Sequence, residues 1–279
     1  MPERVDVRKT YKLFLGGDFP RSESGRSFEV MDSKGDFLAN AARGSRKDLR
    51  DAVKAARGAW GKWASATAYN RGQVLYRIAE MMETRGAELT SEVAAAEGKR
   101  GASKQVDEAI DTWVWYAGLA DKLSQIMGGL NPVAGPYFNL TAPEPTGVCG
   151  IVAPQVPSLA GLVDRLAPAL CGGNVVVAIA SEVHPLPAIA LSECMATSDV
   201  PKGVVNILTG YTSELTPWLA SHGDVDALDV TGVSPVELAD AERAGADNVK
   251  RIIKGGGARS PYQAIAFMEM KTVWHPKGA

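Results

Sequence analysis

Cysteine and histidine are the side chains of this sequence best suited to nucleophilic or metal chemistry, because they supply thiolates, bases and metal ligands. The chain has three of each: Cys149, Cys171, Cys194, His184, His222 and His275. The cysteines lie in apolar segments without an adjacent base, and the histidines lack the spacing of a metal site. The sequence therefore predicts reduced, buried cysteines, no catalytic residue and no metal site.

The composition of the chain argues against nucleic acid and membranes as binding partners. The 279 residues are 46% hydrophobic and 22% charged, with a net charge of −2, and no cluster of Lys and Arg marks a surface for nucleic acid. The N-terminal segment has no apolar core of a signal peptide, and no run of 18 apolar residues occurs. We therefore expect a cytoplasmic protein with neither a nucleic-acid nor a membrane partner.

Helical periodicity dominates the first half of the chain. Residues 12–40 alternate short apolar runs with turn residues, which predicts small antiparallel strands at the edge of a domain. Ser45 and Asp48 then have the spacing of a helix start, and apolar residues follow at helical intervals. Similar apolar stripes predict further helices over about 69–96 and 104–127.

The second half alternates strands with helices. Short, apolar, β-branched strands are predicted over 146–153, 175–180, 204–208 and 225–230. Helix-length segments follow the first three strands, over 158–170, 185–197 and 213–221. Near-continuous apolar strands separated by helices are typical of a parallel sheet covered on both faces, and right-handed crossovers make this a Rossmann-like α/β unit.

The tail, residues 264–275, has the pattern of one strand after a glycine-rich turn. Neither of its faces is wholly polar. A lone strand leaves backbone donors and acceptors unpaired, so this one needs the edge of a sheet in its own chain or in another.

Five segments resemble, in order, motifs of the aldehyde dehydrogenase superfamily: GPYFNLTAPEPTGVCGIV, PALCGGNVVV, PKGVVNILTG, DVDALDVTG and NVKRIIKGGGARSP. The resemblance covers about residues 12–261 and again the tail, and several ordered motifs are more specific than one glycine-rich loop. It implies an NAD-binding-type domain over 1–261 with an exposed arm at about 131–145. It also implies a C-terminal oligomerisation strand over 262–279, a small β element beside the α/β domain.

The resemblance shows that the catalytic positions hold different residues. Val156 stands where the family has an asparagine that donates to the oxyanion, and Gly255 stands where the family has its general-base glutamate. Neither side chain can do that chemistry. In the family a catalytic domain with the cysteine nucleophile follows, whereas here 18 residues follow Pro261 and none is cysteine. The chain looks as if that domain had been excised, and we expect no catalytic residue. It is similar in this respect to the degenerate second module of two-module aldehyde dehydrogenases.

The dinucleotide positions are altered too. Ile179 replaces a lysine of the family's ribose contact, which leaves Glu182 as an acceptor; the sequence favours the interpretation of Glu182 as a carboxylate at a helix N-terminus. Gly232 matches a pyrophosphate turn or serves a strand-to-helix turn, and Glu237 replaces a second glycine. The vestigial cofactor-binding residues are predicted to be Ser181, Glu182, Gly232 and Ser234. No cofactor is expected, and NAD(P) is the alternative.

The arm and the tail resemble the family's assembly elements, and they are intact. The residues expected to mediate oligomerisation are Tyr137, Phe138, Leu140, Phe267, Met268, Met270, Val273 and Trp274. The expected partner is a second copy of the chain or a catalytic aldehyde dehydrogenase.

The sequence is compatible with three functions. The favoured hypothesis is a non-catalytic aldehyde-dehydrogenase-like subunit, a pseudoenzyme that acts as a structural or regulatory assembly partner. The second is a working NAD(P)-dependent aldehyde dehydrogenase, or half of one that a partner completes. The third is a nucleotide or metabolite sensor that uses a modified pocket around Glu182 and Gly232.

Overall fold

The computed structural model describes residues 9–256 and 258–278. The strands are β1 (Thr10–Tyr11), β2 (Ser27–Met31), β3 (Phe37–Ala42), β4 (Gly129–Asn131), β5 (Tyr137–Pro145), β6 (Val148–Val152), β7 (Val175–Ile179), β8 (Val205–Leu208), β9 (Ala227–Asp229), β10 (Arg251–Ile253) and β11 (Met268–Pro276). The helices are α1 (Arg46–Ser65), α2 (Ala68–Thr84), α3 (Gly86–Glu97), α4 (Ala102–Leu119), α5 (Leu123–Met127), α6 (Ala160–Cys171), α7 (Leu186–Ala196), α8 (Thr212–Ser221), α9 (Pro235–Ala246) and α10 (Pro261–Ile265).

A five-stranded parallel sheet in the order β10-β9-β6-β7-β8 forms the centre of the molecule. Every residue of β6 and β7 is buried, which explains their unbroken apolar sequences. Helices flank this sheet, among them α1 and α8, which contact each other, and α6 and α7, which contact α2. The predicted α/β class with a parallel sheet is confirmed. Strand β10 was not predicted.

The first helix begins as its sequence predicts. The Ser45 hydroxyl accepts hydrogen bonds from the backbone N–H groups of Lys47 and Asp48, and the Asp48 carboxylate accepts one from Ser45 N–H. This reciprocal capping box satisfies donors that the first turn of a helix leaves free. Leu49 and Val53 are then buried on one face of α1.

Two predicted long helices are each interrupted. The segment 69–96 divides into α2 and α3 at Arg85, whose guanidinium pairs with Glu88 and Glu193. The segment 104–127 divides into α4 and the short helix α5. Apolar periodicity continues across both breaks, so it does not reveal them. The prediction of single helices is therefore wrong at these two places.

The tail is only partly a strand. Residues 261–265 form α10, and β11 begins at Met268. Between them, Phe267 is 0% exposed, and its carbonyl oxygen accepts hydrogen bonds from Thr146 Oγ1 and Asn174 Nδ2, both at 2.9 Å. Phe267 thus anchors the tail in the chain's own core, and the prediction of one strand over 264–275 is corrected.

Strand β11 pairs antiparallel with β5 along nine residues, and β5 also pairs with β4. This three-stranded sheet is the separate β element that the sequence predicts. The register places Val273 opposite Leu140, and Leu140 opposite Leu130, so these three side chains form a row across one face. Their exposed fractions are 60%, 49% and 62%. No described strand pairs with the outer edge of β11.

Within the described part of the chain, no helix combines the length and the apolar character that crossing a membrane requires. At the N-terminal end, β2 and β3 form the expected antiparallel pair, and β1 adds to β3 in parallel.

Candidate functional site

The carboxyl ends of β6, β7 and β9 meet at one edge of the parallel sheet, where α/β proteins with this kind of topology bind ligands. Gly232 lies in the loop after β9, and its N–H donates to Val152 O at 2.9 Å. A Cβ atom on Gly232 would lie 1.9 Å from Ala153 O. Glycine is therefore required for the close packing of this loop on the end of β6, the structural alternative that the sequence raised.

Gln155 organises the loop after β7. Its side-chain oxygen accepts hydrogen bonds from the backbone N–H groups of Glu182 at 2.9 Å and Val183 at 3.2 Å. The buried Ser181 hydroxyl donates to Gln155 O at 2.9 Å and accepts from His184 N–H at 3.0 Å. Sequence reasoning gave Gln155 no role, because the loop that it holds lies about 27 residues away.

The Glu182 carboxylate caps a helix. One of its oxygens accepts a hydrogen bond from Thr212 N–H, the first residue of α8, at 2.7 Å. A carboxylate at this position satisfies a free backbone donor and interacts favourably with the helix dipole. The interpretation of Glu182 as a residue of a helix N-terminus thus has a geometric basis. Its remaining acceptor positions leave a ribose contact chemically feasible.

Ser234 and Glu237 lie together at the start of α9. The Ser234 hydroxyl donates to Glu237 Oε2 at 2.8 Å, and no described side chain of opposite charge pairs with this carboxylate. A negative charge at this helix N-terminus repels a pyrophosphate that would bind there. The described residues therefore fit the ribose end of a dinucleotide better than its pyrophosphate.

Val156, at the position of the expected oxyanion donor, is 60% exposed, and its side chain offers no polar atom. It is followed by Pro157, with which it forms a cis peptide bond. The side chain that could stabilise an oxyanion by hydrogen bonding is absent at this position.

Arg165 occupies the space that a side chain at position 255 would need. A Cβ atom on Gly255 would lie 2.2 Å from Arg165 Cζ and 2.4 Å from its Nη1. Van der Waals contact requires more than about 3 Å, so even an alanine would displace the guanidinium. Gly255 is the residue that the resemblance predicts at the position of the family's general base, and Arg165 occupies the place of its Cβ atom.

A buried hydrogen-bond network holds Arg165 in place. Arg165 is 3% exposed, and its Nε donates to the carboxylate of Asp229, which is 0% exposed, at 2.7 Å. Its two terminal nitrogens donate to Gln263 Oε1 at 3.1 and 3.2 Å. Asp229 accepts from Thr231, whose hydroxyl in turn accepts from Gly255 N–H at 2.9 Å. The network joins α6, β9, the loop after β10, and α10.

The three cysteines are all buried and free. Burial raises the pKa of the Cys171 thiol to about 12 and that of Cys194 to about 11, and it raises the pKa of Cys149 well above its usual value. A protonated, inaccessible thiol is a poor nucleophile. Cys149 lies in the middle of β6, paired with β7 and β9 on its two sides.

The histidines occupy ends of helices and strands. His222 Nδ1 accepts a hydrogen bond from Asp224 N–H at 3.1 Å, and His184 precedes α7. Desolvation lowers the pKa of both imidazoles. Among the residues that the structure describes, no group of three or more His, Cys, Asp and Glu side chains is placed to hold a metal ion.

The predicted oligomerisation residues divide into two groups. Six are between 42% and 60% exposed on β5 and β11: Tyr137, Phe138, Leu140, Met270, Val273 and Trp274. Phe267 and Met268 are 0% and 4% exposed, because they pack in the chain's own core. The structure adds Leu130 on β4 to the exposed group, a residue that sequence reasoning missed because its place opposite Leu140 depends on strand register.

The sheet, its flanking helices and the loops at its carboxyl edge define an α/β protein of the dinucleotide-binding type. Comparisons with known proteins are more specific. The model of the aldehyde dehydrogenase family matches residues 19–273. Retinal dehydrogenase 2 of Homo sapiens is 35% identical over 264 residues, which are 92% of this chain and 50% of that protein. Aldehyde dehydrogenase, cytosolic 1 of Elephantulus edwardii is 34% identical, over 93% of this chain and 52% of that protein.

Solved structures agree with this assignment. HpcC from Thermus thermophilus superposes with a TM-score of 0.83 at 31% identity, over 90% of this chain and 49% of that one. The NAD+ complex of aldehyde dehydrogenase from Bacillus cereus has a TM-score of 0.80 at 27% identity, over 88% of this chain and 50% of that one. The chain belongs to the aldehyde dehydrogenase family, and it spans about half the length of these relatives.

The comparisons correct the cofactor prediction. The expectation of no cofactor is wrong, because the family is one of NAD-linked enzymes: the similar aldehyde dehydrogenase of Bacillus cereus and PnpE have both been solved with nicotinamide adenine dinucleotide. Family membership points to NAD(P). On this chain, Ser181 and Glu182 stay the predicted ribose contacts, and Glu237 places a carboxylate where the pyrophosphate is predicted to bind.

Proposed function

We propose that this chain is a non-catalytic aldehyde-dehydrogenase-family subunit, a pseudoenzyme whose role is to assemble with another copy or with a catalytic relative. The observation that carries the proposal is the Arg165 guanidinium, which lies in the volume that a base at position 255 would occupy. A catalytic carboxylate there requires both a new side chain and the removal of a buried ion pair. The expected position of the general base is therefore occupied by the hydrogen-bond network of Arg165 and Asp229, and more than one residue differs from a catalytic site.

Two further observations support the absence of chemistry on this polypeptide. The cysteine thiols are buried with raised pKa values, so they do not supply a thiolate near neutral pH. The Val156 side chain offers no donor for an oxyanion. The proposal concerns catalysis and not the binding of NAD(P), which the family uses and which the Ser181–Glu182 loop can contact.

The three-stranded sheet supports a role in assembly. Its outer strand β11 has nine residues, and its outer edge has no strand beside it among the described residues. Leu130, Leu140 and Val273 form an exposed apolar row beside it. An unpaired edge with apolar side chains is a template for pairing with another chain.

The experiment is an activity assay with a parallel binding measurement. The purified full chain is incubated with NAD+ or NADP+ and a panel of aliphatic and aromatic aldehydes, and the absorbance of the reduced nicotinamide is followed over time. We expect no turnover above a heat-denatured control. Titration with NAD+ is done on the same sample, because binding without turnover agrees with the proposal. Sustained reduction of cofactor by the isolated chain would refute it.

A second candidate function has its own support. In this second candidate, the chain is half of an NAD(P)-dependent aldehyde dehydrogenase, and a second polypeptide completes its site. The family match and the free acceptor positions of Glu182 favour this function. Co-purification at native expression, followed by an assay of the complex, separates the two. In a completed enzyme, Glu182→Ala raises the KM for NAD+ in the complex, whereas for a purely structural subunit the KM is unchanged.

The third candidate is a sensor of nucleotides or metabolites at the carboxyl edge of the sheet. Calorimetric titration with NAD+, NADP+ and adenosine nucleotides, without any aldehyde, tests it. A saturable signal that Glu182→Ala abolishes, together with a change in oligomeric state on binding, favours a sensor over a scaffold.

A further inference from the structure

A cavity of about 550 Å³ lies between the first turns of α1 and α8. Three arginines, Arg26, Arg43 and Arg46, line it together with Trp218. None of the four residues expected to contact a dinucleotide is among its lining residues. It borders the carboxyl end of β8, since Gly44 N–H donates to Thr209 O, and it shares Arg46 and Trp218 with a neighbouring cavity of about 610 Å³.

The cavity carries uncompensated positive charge. Arg43 donates to the Glu214 carboxylate through Nε and Nη2, so this charge is paired. The guanidinium groups of Arg26 and Arg46 form no salt bridge and no hydrogen bond with any residue that the structure describes. Two free guanidinium groups in one concavity attract anions, and each offers several N–H donors in a planar arrangement.

Aromatic rings hold two of the arginines in position. The Arg46 guanidinium lies over the ring of Trp218, with Cζ 3.9 Å from the ring centroid. Arg43 lies over Tyr211 at 4.6 Å. Such stacking orders the side chain before a ligand arrives, and this lowers the entropic cost of binding.

We propose that this cavity binds a small phosphate-bearing anion, with Arg26 and Arg46 as its principal ligands. Its concave shape and its volume fit a metabolite-sized molecule rather than a segment of a protein. Phosphate matches the fork of donors on a guanidinium, and it carries the charge that the two free arginines leave uncompensated. The proposal does not depend on whether the chain is catalytic.

Isothermal titration of the full chain with sodium pyrophosphate, and separately with ribose 5-phosphate, tests the proposal. We expect saturable binding of at least one probe that weakens as NaCl rises from about 50 to about 300 mM. Arg26→Ala and Arg46→Ala each weaken binding by about tenfold or more, since each removes charge-assisted hydrogen bonds. Tighter binding of ribose 5-phosphate than of pyrophosphate identifies an organic phosphate as the ligand class, and the reverse identifies the inorganic anion.

Matched variants keep the result specific. Arg243→Ala removes one positive charge on α9, outside the cavity, and does not change the affinity. Arg26 and Arg46 are exposed, so their variants remain folded, which circular dichroism verifies. Absence of saturable heat, equal affinity in the arginine variants, or an equal loss in Arg243→Ala overturns the proposal. Binding of a polyglutamate peptide but of neither phosphate probe overturns it too.

Discussion

At the level of single residues, the buried position of the Arg165 guanidinium requires a residue without a side chain at position 255. The guanidinium lies against the backbone of position 255, where a Cβ atom would come within 2.2 Å of Cζ. Its partners Asp229 and Gln263 are on β9 and α10, so the displacement of this one side chain would disturb several elements. Where the resemblance implies a general-base glutamate, this chain therefore has a glycine packed against a buried, hydrogen-bonded arginine.

Gly255→Ala tests this dependence. We expect a loss of about 1–3 kcal/mol in the free energy of unfolding, because the new methyl group overpacks the buried site. Urea denaturation measures it. In the background of Arg165→Ala the same methyl group costs less, so the double-mutant cycle shows coupling.

Gly61→Ala is the matched control, because nothing lies within 4 Å of its Cβ position on α1. It stabilises the helix by up to about 1 kcal/mol. A Gly255→Ala protein as stable as the wild type would contradict the crowding inferred around Arg165.

The buried thiols make stability depend on pH. Their folded pKa values are raised to about 11 for Cys194 and about 12 for Cys171. An unfolded thiol has a pKa of about 8.5, so between these values the native state holds more protons than the unfolded one. The contribution to stability is therefore complete below about pH 8.5, and it falls as the pH rises towards about 11, by at most about 1.4 kcal/mol per pH unit for each thiol.

Urea midpoints at about pH 7, 8.5, 9.5 and 10.5 measure this dependence. The raised pKa of Tyr116, about 12, acts in the same direction at the alkaline end of this range. Replacement of Cys194 by alanine makes the decline shallower. A midpoint that stays constant or increases at alkaline pH would show that the thiols ionise freely in the native state.

At the level of elements, side-chain hydrogen bonds and one glycine hold the loops at the carboxyl edge of the sheet in place. Gln155 binds the loop after β7, and Glu182 caps α8. Gly232 allows the loop after β9 to lie on the end of β6. These bonds give the edge a defined shape before any ligand binds.

Glu182→Ala is expected to destabilise the protein by about 1 kcal/mol, since Thr212 N–H at the start of α8 loses its acceptor. Glu182→Gln retains an acceptor oxygen and costs less. Thermal unfolding followed by circular dichroism measures both. Glu83→Ala removes an exposed carboxylate without a described partner, and it changes stability by no more than about 0.5 kcal/mol. An unaffected Glu182→Ala protein would show that the cap contributes nothing.

At the level of the whole molecule, the chain passes between the parallel sheet and the antiparallel one twice, between β5 and β6 and between β10 and β11. Residues 254–267, between the last residue of β10 and the first of β11, contain only α10 as regular structure among those described. Phe267 fixes the end of this connection in the core. The exposed sheet of β4, β5 and β11 is therefore presented at a defined position.

Val273→Asp is expected to weaken self-association or association with a partner by about tenfold or more, because it places a charge in the exposed apolar row of Leu130, Leu140 and Val273. Sedimentation velocity over a range of concentrations measures it. The control is Val249→Asp, which introduces the same charge at an exposed position between α9 and β10, away from the antiparallel sheet. Equal association of the Val273→Asp protein and the wild type would exclude this face as the interface.

The sequence predicted the features that depend on local patterns. The capping box of Ser45 and Asp48, the apolar strands β6 and β7, and the α/β class follow from spacing within short windows. The Arg165–Asp229 pair joins residues 64 positions apart, and no local pattern indicates that a basic and an acidic residue will meet in a core. The burial of Phe267 likewise depends on Asn174, 93 positions away.

Because all three native cysteines are buried, the protein can be labelled at a single introduced cysteine. A single cysteine introduced at an exposed position away from β11, such as Val236→Cys on α9, would be the one thiol that maleimide dyes reach in the folded protein at neutral pH. Fluorescent or spin labels could then be attached at one chosen point without altering the native sequence elsewhere. Energy transfer between labelled copies would report the distance between neighbouring molecules in whatever complex they form.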